Sequence, residues 1–326
     1  NPIFPVHHGR TDSPRLMSHA ASLPPLLEGL PIAIAAGSGA CCIHDIHDDS
    51  RQVKPGSLFV ARAGTVADGA TFVDDAIRKG ASAVLADRPL DLPDGVTMLV
   101  AEEPGRIGAE LAERFHGRPS RKLRLIGITG TNGKTTIAHL IQQVLNKAGR
   151  RCGLIGTVDI DTGLERTRAA LTTPSAVETS RLLRRMLDNG CTVCVMEASS
   201  HALHQGRTAA LHFEGGIFTN LSGDHLDYHK TMDEYAAAKS ILFKQVGEHG
   251  WAVSNTDDPE AESIVRDAGR VVRCSLMDHN ADYAAQVQDE TLTGVTLLLG
   301  GESFGVNQRS LRLRLVGRHN AMNALQ

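Results

Sequence analysis

Leu125-Ile126-Gly127-Ile128-Thr129-Gly130-Thr131-Asn132-Gly133-Lys134-Thr135-Thr136 begins as an apolar run, breaks into a glycine-rich turn and opens an amphipathic helix. The stretch predicts a phosphate-binding loop. Glycines let the backbone turn tightly and aim its N–H groups inward, and the following helix adds the positive end of its dipole. Lys134 can reach β- and γ-phosphates, and the Thr135 hydroxyl is placed for Mg²⁺. The expected ligand is a nucleoside triphosphate, held by Gly130, Thr131, Asn132, Gly133, Lys134, Thr135 and Thr136. In the common G-x-x-x-x-G-K-[ST] spacing the first glycine would fall at Ile128, whereas glycines stand at 127 and 130, so a shorter loop is expected. A Gly-Lys-Thr turn can arise by chance; a strand over 123–128 and a helix over 134–148 are the context that separates motif from accident.

Downstream, strands and helices alternate: strand 152–158, helix 175–189, strands 192–197 and 215–219, helix 233–246 and strand 250–253. This pattern predicts a doubly wound, mostly parallel α/β sheet of the P-loop ATPase kind, with ligands at the carboxyl ends of its strands. Three polar clusters fall at those ends: Leu171–Ser175, Met196–His201 and Thr219–His229. Glu197 closes an apolar strand and could cap the next turn, yet it stands where a strand-end acid completes Mg²⁺ coordination. His225 and His229 are four apart, but no H-E-x-x-H accompanies them and Asp224-His225-Leu226-Asp227 reads as loop, which argues against zinc. Arg207 is either a surface charge or a clamp for an anion.

Upstream, residues 43–119 predict a small α/β domain, with strands at Ser57–Ala61, Ala81–Ala86 and Val96–Val100 and helices at Thr71–Lys79 and Pro104–His116. The breakers in His116-Gly117-Arg118-Pro119-Ser120 form a linker. Two domains are therefore expected, 1–119 and 120–326, in keeping with roughly 150 residues per domain. The 326 residues are 41% hydrophobic and 22% charged, with a formal net charge of −3. That balance gives no general pull toward nucleic acid or membrane, and no apolar run approaches the roughly 18 residues that span a bilayer. Residues 1–30 show no secretory pattern, so a cytoplasmic monomer is expected, and a first residue of Asn1 rather than Met reads as the mark of a fragment. The six cysteines follow no framework and read as structural thiols. In Cys191-x-x-Cys194 the odd offset within a strand-like run should point the two side chains to opposite faces.

The ordered set Gly130–Thr136, Met196–His201, Phe218-Thr219-Asn220-Leu221, Asp224–His229 and Tyr235-Ala236-Ala237-Ala238-Lys239 resembles the Mur ligase family. Within it the set is similar to the members that add an amino acid to UDP-N-acetylmuramoyl-L-alanyl-D-glutamate. Asp49–Ala61 with Ala67-Asp68-Gly69 resembles the family's UDP-binding domain. The resemblance covers about residues 45–326. It implies ATP- and Mg²⁺-dependent amide synthesis in peptidoglycan assembly, the acceptor being the UDP-linked muramoyl dipeptide and the donor amine a diamino acid, meso-diaminopimelate or L-lysine. It also implies roles. Lys134, Lys239 and His225 would serve catalysis; Thr135 and Glu197 would hold one Mg²⁺, and His225 and a carbamylated Lys239 a second. Thr172, Thr173, Ser199, Gln205 and Arg207 would hold the muramoyl peptide, Asp48, Ser50, Thr65, Val66 and Ala67 the uridine, and Asn320 the nucleotide. Without the resemblance, Lys239 reads as a solvated helical lysine beside Glu234, although Tyr235, Leu242 and Val246 share its face.

Leu315–Gln326 resembles the helix that closes the family's central domain, so the third domain is expected to be absent from this chain. Two other readings stand beside the first. One is a different amide ligase of the same superfamily, of muramoyl-peptide or folylpolyglutamate type; the other is a non-catalytic UDP-sugar- or nucleotide-binding protein.

Overall fold

The computed structural model describes residues 20–62, 64, 68–223, 226–301, 303 and 309–326. The chain enters through β1 (Ala21–Ser22), α1 (Leu23–Leu27), β2 (Ala33–Ala36), β3 (Cys42–Ile43), β4 (Asp45–His47) and β5 (Ser57–Val60). Then come α2 (Val73–Arg78), β6 (Ala81–Ala86), β7 (Thr97–Val100) and α3 (Pro104–Phe115). β1 pairs antiparallel with β3, and the other five strands form a sheet of order β2-β7-β6-β5-β4, parallel except where β2 meets β7. Alternation divides its side chains between two layers. Leu58, Val60 and Leu85 pack with Ile107 and Leu111 of α3, while Phe59 and Val84 pack with Val73 and Ala76 of α2.

The second sheet is built from β8 (Arg124–Thr129), α4 (Lys134–Lys147), β9 (Cys152–Ile155), β10 (Asp159–Asp161), β11 (Arg166–Arg168), α5 (Ala176–Asp188), β12 (Val193–Glu197) and α6 (Ser200–His204). It continues through β13 (Gly215–Phe218), α7 (Leu226–His229), α8 (Met232–Val246), β14 (Trp251–Asn255), α9 (Ala261–Val265) and β15 (Arg270–Ser275). Strands β16 (Tyr283–Thr291), β17 (Gly294–Gly300) and β18 (Arg309–Leu313) and helix α10 (Arg318–Leu325) complete it. Among the described residues it has eleven strands, in the order β11-β10-β9-β12-β8-β13-β14-β15-β16-β17-β18. Pairing is parallel from β9 through β16 and antiparallel at both edges.

Helices cover both faces. Leu125, Cys194, Met196 and Phe218 meet Leu183 and Met186 of α5 and Leu242 and Phe243 of α8, while Ile128, Val195 and Ile217 meet Ile137 and Ala138 of α4. Each of the buried Leu, Ile, Val, Met and Phe side chains among these contributes about 1.5–3 kcal/mol relative to exposure. Two of the capped helices that flank the site start with Ser/Thr-x-x-Glu: Ser175 accepts from Glu178 N ahead of α5, and Thr231 from Glu234 N ahead of α8. Gly127 serves packing rather than the phosphate loop, since a Cβ there would meet Leu242 Cδ1 at 2.5 Å.

The doubly wound sheet is as expected, with four local differences. The strand expected over 152–158 breaks after Ile155, where the chain turns back into β10 and Gly156 leaves the room that Glu197 Oε1 occupies, 2.6 Å from where a Cβ would stand. Residues 226–229, part of the expected loop, form the short helix α7. The sheet extends beyond 253 through β15 to β18. Cys191 and Cys194 lie in the same apolar cluster rather than on opposite faces, because the strand starts only at Val193 and Cys191 stands ahead of it, outside the alternation. All six cysteines are free, and burial pushes Cys191 up to about 11 and Cys152 and Cys274 up to about 12. None of the described helices is long and apolar enough to cross a membrane.

Candidate functional site

Strand β8 runs to Thr129, and four residues, Gly130–Gly133, carry the chain into α4. Gly130 (φ +145°) and Gly133 (φ +90°) adopt backbone that side chains disfavour, and Cβ atoms there would run into the Thr219 hydroxyl and the Asn323 amide. The loop is tied down from the end of β13. Thr131 N donates to Asn220 O (2.8 Å), Asn132 N to Asn220 Oδ1 (3.0 Å), and Thr219 Oγ1 to Asn132 O (2.5 Å). Lys134 Nζ lies back over the loop, donating to the carbonyls of Gly130 and Thr131 at 2.8 Å each. No side chain caps α4, so the N–H groups of its first turn, Thr135 and Thr136 included, point out of the helix end as an anion-binding surface.

Glu197, at the carboxyl end of β12, faces the loop and is 1% exposed. Its Oε2 accepts from Thr135 Oγ1 (3.0 Å) and Thr157 Oγ1 (2.9 Å), and its Oε1 from Thr157 N (2.9 Å). Among the described residues no cation pairs with it. A buried carboxylate held only by neutral donors is costly unless a cation completes it. One hydroxyl plus one carboxylate is also the protein share of a Mg²⁺ site finished by phosphate oxygens and water. The donor set therefore fits Mg²⁺, and no described group of three or more His, Cys, Asp or Glu forms an all-protein metal cage.

The other expected residues assemble around this pair. Thr172 Oγ1 lies 3.1 Å from Thr157 Oγ1, and Thr173 Oγ1 donates to Glu197 O (2.8 Å) while accepting from Ser199 N (3.2 Å). Ser199 caps α6. Arg207 donates to Thr173 O (3.2 Å) and Gln205 Oε1 (2.7 Å), and burial, then the positive charge of Arg62, lowers its pKa. Across the junction with the first sheet, both Asp48 oxygens are engaged, one by Ser175 Oγ (2.9 Å) and the other by Arg62 Nε (3.3 Å). Ser50 is buried, and its carbonyl accepts from Lys79 Nζ (3.0 Å).

Lys239 lies in the middle of α8 at 1% exposure, its Nζ 4.0 Å from the centre of the Tyr235 ring, and it is not a solvated surface lysine. The Tyr235 hydroxyl is 3.2 Å from Thr131 Oγ1, so α8 touches the phosphate loop directly. Asn320 is on α10, donating to Val316 O (2.8 Å) and accepting from Asn323 (3.1 Å). Thr65, Val66, Ala67 and His225 lie outside the described residues.

Three participants were not singled out in the sequence. Thr157 gives Glu197 two of its bonds; the only signal is a threonine just after the glycine that follows β9. Asn323 abuts Gly133 from α10. Tyr228 accepts from Gln205 Nε2 (3.3 Å) and stacks on His201, with ring centres 4.1 Å apart.

Residues 128–326 match the family described as Mur ligase middle domain, and residues 42–113 the one described as Mur ligase family, catalytic domain. The chain is 42% identical over 318 residues to the UDP-N-acetylmuramoyl-L-alanyl-D-glutamate--2,6-diaminopimelate ligase of Chlorobium phaeobacteroides, covering 94% of this chain and 62% of that protein. It is 38% identical to the protein of the same name in Listeria innocua, over 92% of this chain and 61% of that one. The chain thus spans about three fifths of the length of these relatives. A solved structure of such a diaminopimelate ligase superposes with a TM-score of 0.79 at 29% identity, covering 94% of this chain and 62% of that one. MurF from Thermotoga maritima, solved with ADP, shares the fold with a TM-score of 0.60 at 21% identity, over 86% of this chain and 61% of that one.

Proposed function

Since the chain belongs to the Mur ligase family, we propose that it is the substrate- and nucleotide-binding part of an ATP-dependent ligase of peptidoglycan synthesis, which joins a diamino acid to UDP-N-acetylmuramoyl-L-alanyl-D-glutamate in the cytoplasm. The diamino acid of this reading is diaminopimelate, since the relatives are named as 2,6-diaminopimelate ligases. Residues 1–119 form the module for the UDP-linked substrate and 120–326 the module for ATP. The observation that carries this reading is the buried Glu197, bonded to Thr135 of the phosphate loop and lacking a cation among the described residues.

The D-glutamyl carboxylate attacks the γ-phosphorus of ATP, forming an acyl phosphate and releasing ADP. The amine of the diamino acid then attacks the acyl carbon, an amide forms, and phosphate leaves with the amine proton passed to a base. The chain's own residues supply positioning and charge. The first turn of α4 and Lys134 hold the β- and γ-phosphates, and Thr135 and Glu197 would hold Mg²⁺. Bound Mg²⁺ neutralises charge on the transferring phosphoryl group. Arg207, with Thr172, Thr173, Ser199 and Gln205, would fix the muramoyl peptide so that its carboxylate meets the phosphate in line. Lys239, as its carbamate, and His225 would hold a second ion on the α8 side.

The test is release of ADP from ATP with Mg²⁺, UDP-N-acetylmuramoyl-L-alanyl-D-glutamate and diamino acid, each omitted in turn. Release should require the UDP-linked dipeptide, and meso-diaminopimelate should outperform L-lysine. Equal release without the dipeptide would contradict the proposal.

A further inference from the structure

Two guanidinium groups are anchored to opposite ends of one tripeptide at the junction of the two sheets. Arg207, from the segment after α6, donates to the carbonyl of Thr173 (3.2 Å). Arg62, from the end of β5, is held by Asp48, whose second oxygen takes the Ser175 hydroxyl (2.9 Å). Thr173-Pro174-Ser175 therefore carries one arginine from each sheet. The side chain of Arg62 is 35% exposed. Asp48 is the one carboxylate among the described residues that pairs with it, and none pairs with Arg207. Two guanidinium groups near one junction repel, and the single Asp48 carboxylate, already shared with the Ser175 hydroxyl, offsets one of the two charges and leaves room for a further anion. Burial first and then the charge of Arg62 lower the pKa of Arg207, while Tyr228 and Asp48 act in the opposite direction.

We infer that Arg62, oriented by Asp48, is a substrate-binding residue that shares an oxyanion of the UDP-linked substrate with Arg207 across the junction. Asp48 is then a positioning residue: its carboxylate fixes the Arg62 fork and, through Ser175, locks that fork to the start of α5. The anion belongs to the substrate's diphosphate or to one of its carboxylates, both of which match a guanidinium fork. The inference rests on the proposed substrate class and adds to it the residue from the first sheet that meets the charge.

Calorimetric titration of UDP-N-acetylmuramoyl-L-alanyl-D-glutamate and, separately, of UDP tests it with wild type, Arg62→Gln, Arg62→Lys and Asp48→Asn. Arg62→Gln should weaken the dipeptide substrate by about tenfold or more, and Arg62→Lys should recover part of the loss. Affinity of wild type should fall between roughly 50 and 500 mM NaCl, with a shallower slope in Arg62→Gln. Asp48→Asn should cost several-fold in affinity while keeping the wild-type salt slope. An equal loss for UDP assigns the anion to the diphosphate, and a loss confined to the dipeptide assigns it to a carboxylate; either supports the shared anion. ATP affinity, unchanged throughout, certifies the fold. Arg62→Gln affinity within about twofold of wild type, or a loss with an unaltered salt slope, overturns the inference alone. Failure of wild type to bind the UDP-linked dipeptide at all overturns the proposed function with it.

Discussion

Glu197 shows how far single residues could be read. Its place at a strand end was legible, because an acid closing an apolar run in a doubly wound sheet falls at the ligand edge. Its partners were not, since Thr157 lies 40 residues away and reaches it only through the break after Ile155. Glu197→Gln removes a buried charge while keeping its shape. Without nucleotide the variant should be as stable as wild type or more so, because the charge is uncompensated there. It should also lose the rise in Tm that Mg·ATP gives wild type. An equal rise in both proteins would remove Glu197 from the metal site. Lys239 was legible in a different way: Tyr235, Leu242 and Val246 at helical spacing predicted partial burial, and all four side chains are buried. Its carbamate rests on family resemblance. In the full-length enzyme Lys239→Ala should cost about 100-fold or more in ligation, with partial recovery on adding short carboxylates and none with bicarbonate. Normal activity in that variant, with the lysine unmodified in a nucleotide-bound crystal, would refute the role.

At the scale of elements, the strands and helices around the loop were readable because a parallel strand covered on both faces leaves a near-continuous apolar run. The outer strands were not. β16 and β18 carry sequences such as Tyr283–Thr291 and Arg309–Leu313, whose largely exposed residues give no such run. The end of α3 gives a pH prediction. His116 follows this helix with its ring edge-on to Phe115 (5.0 Å between centres), and its Nε2 has no partner among the described residues. Burial lowers its pKa from 6.5 to about 4. The unfolded chain therefore takes up a proton near 6.5 that the folded chain refuses until about 4. The stability from this group is complete above 6.5 and is lost as pH falls through that window, on the order of 3 kcal/mol in all. Buried Glu113, whose carboxyl is raised chiefly by desolvation, acts in the opposite direction nearby. The difference between wild type and His116→Gln isolates the histidine. Urea unfolding at pH 7, 5 and 4 should show wild type losing more stability than the variant, and parallel losses would exclude His116 as the cause.

For the whole molecule, the breakers at 116–120 suggest a linker, but the bonds that tie α5 to the first sheet and to α3 could not be read from the sequence, because each joins residues more than sixty apart. Glu113 of α3 accepts from Ser180 Oγ of α5 (2.8 Å) and, within the linker, from Ser120 Oγ (2.6 Å). Arg181 of α5 reaches Asp45 Oδ1 (3.0 Å) and Ile46 O (2.6 Å). This junction sets Asp48 and Arg62 against the far end of the same polar cluster that faces the phosphate loop. Lys134 and the residues proposed for the UDP-linked substrate nevertheless stand on separate elements, so the two ligands should be separable by mutation. Calorimetric titration of Mg·ATP and of UDP-N-acetylmuramoyl-L-alanyl-D-glutamate into wild type and Lys134→Ala tests the phosphate-loop assignment most directly. The expected result is a loss of ATP affinity of about 100-fold or more, with the UDP-linked dipeptide bound within about twofold of wild type. Unchanged ATP affinity in Lys134→Ala would contradict it.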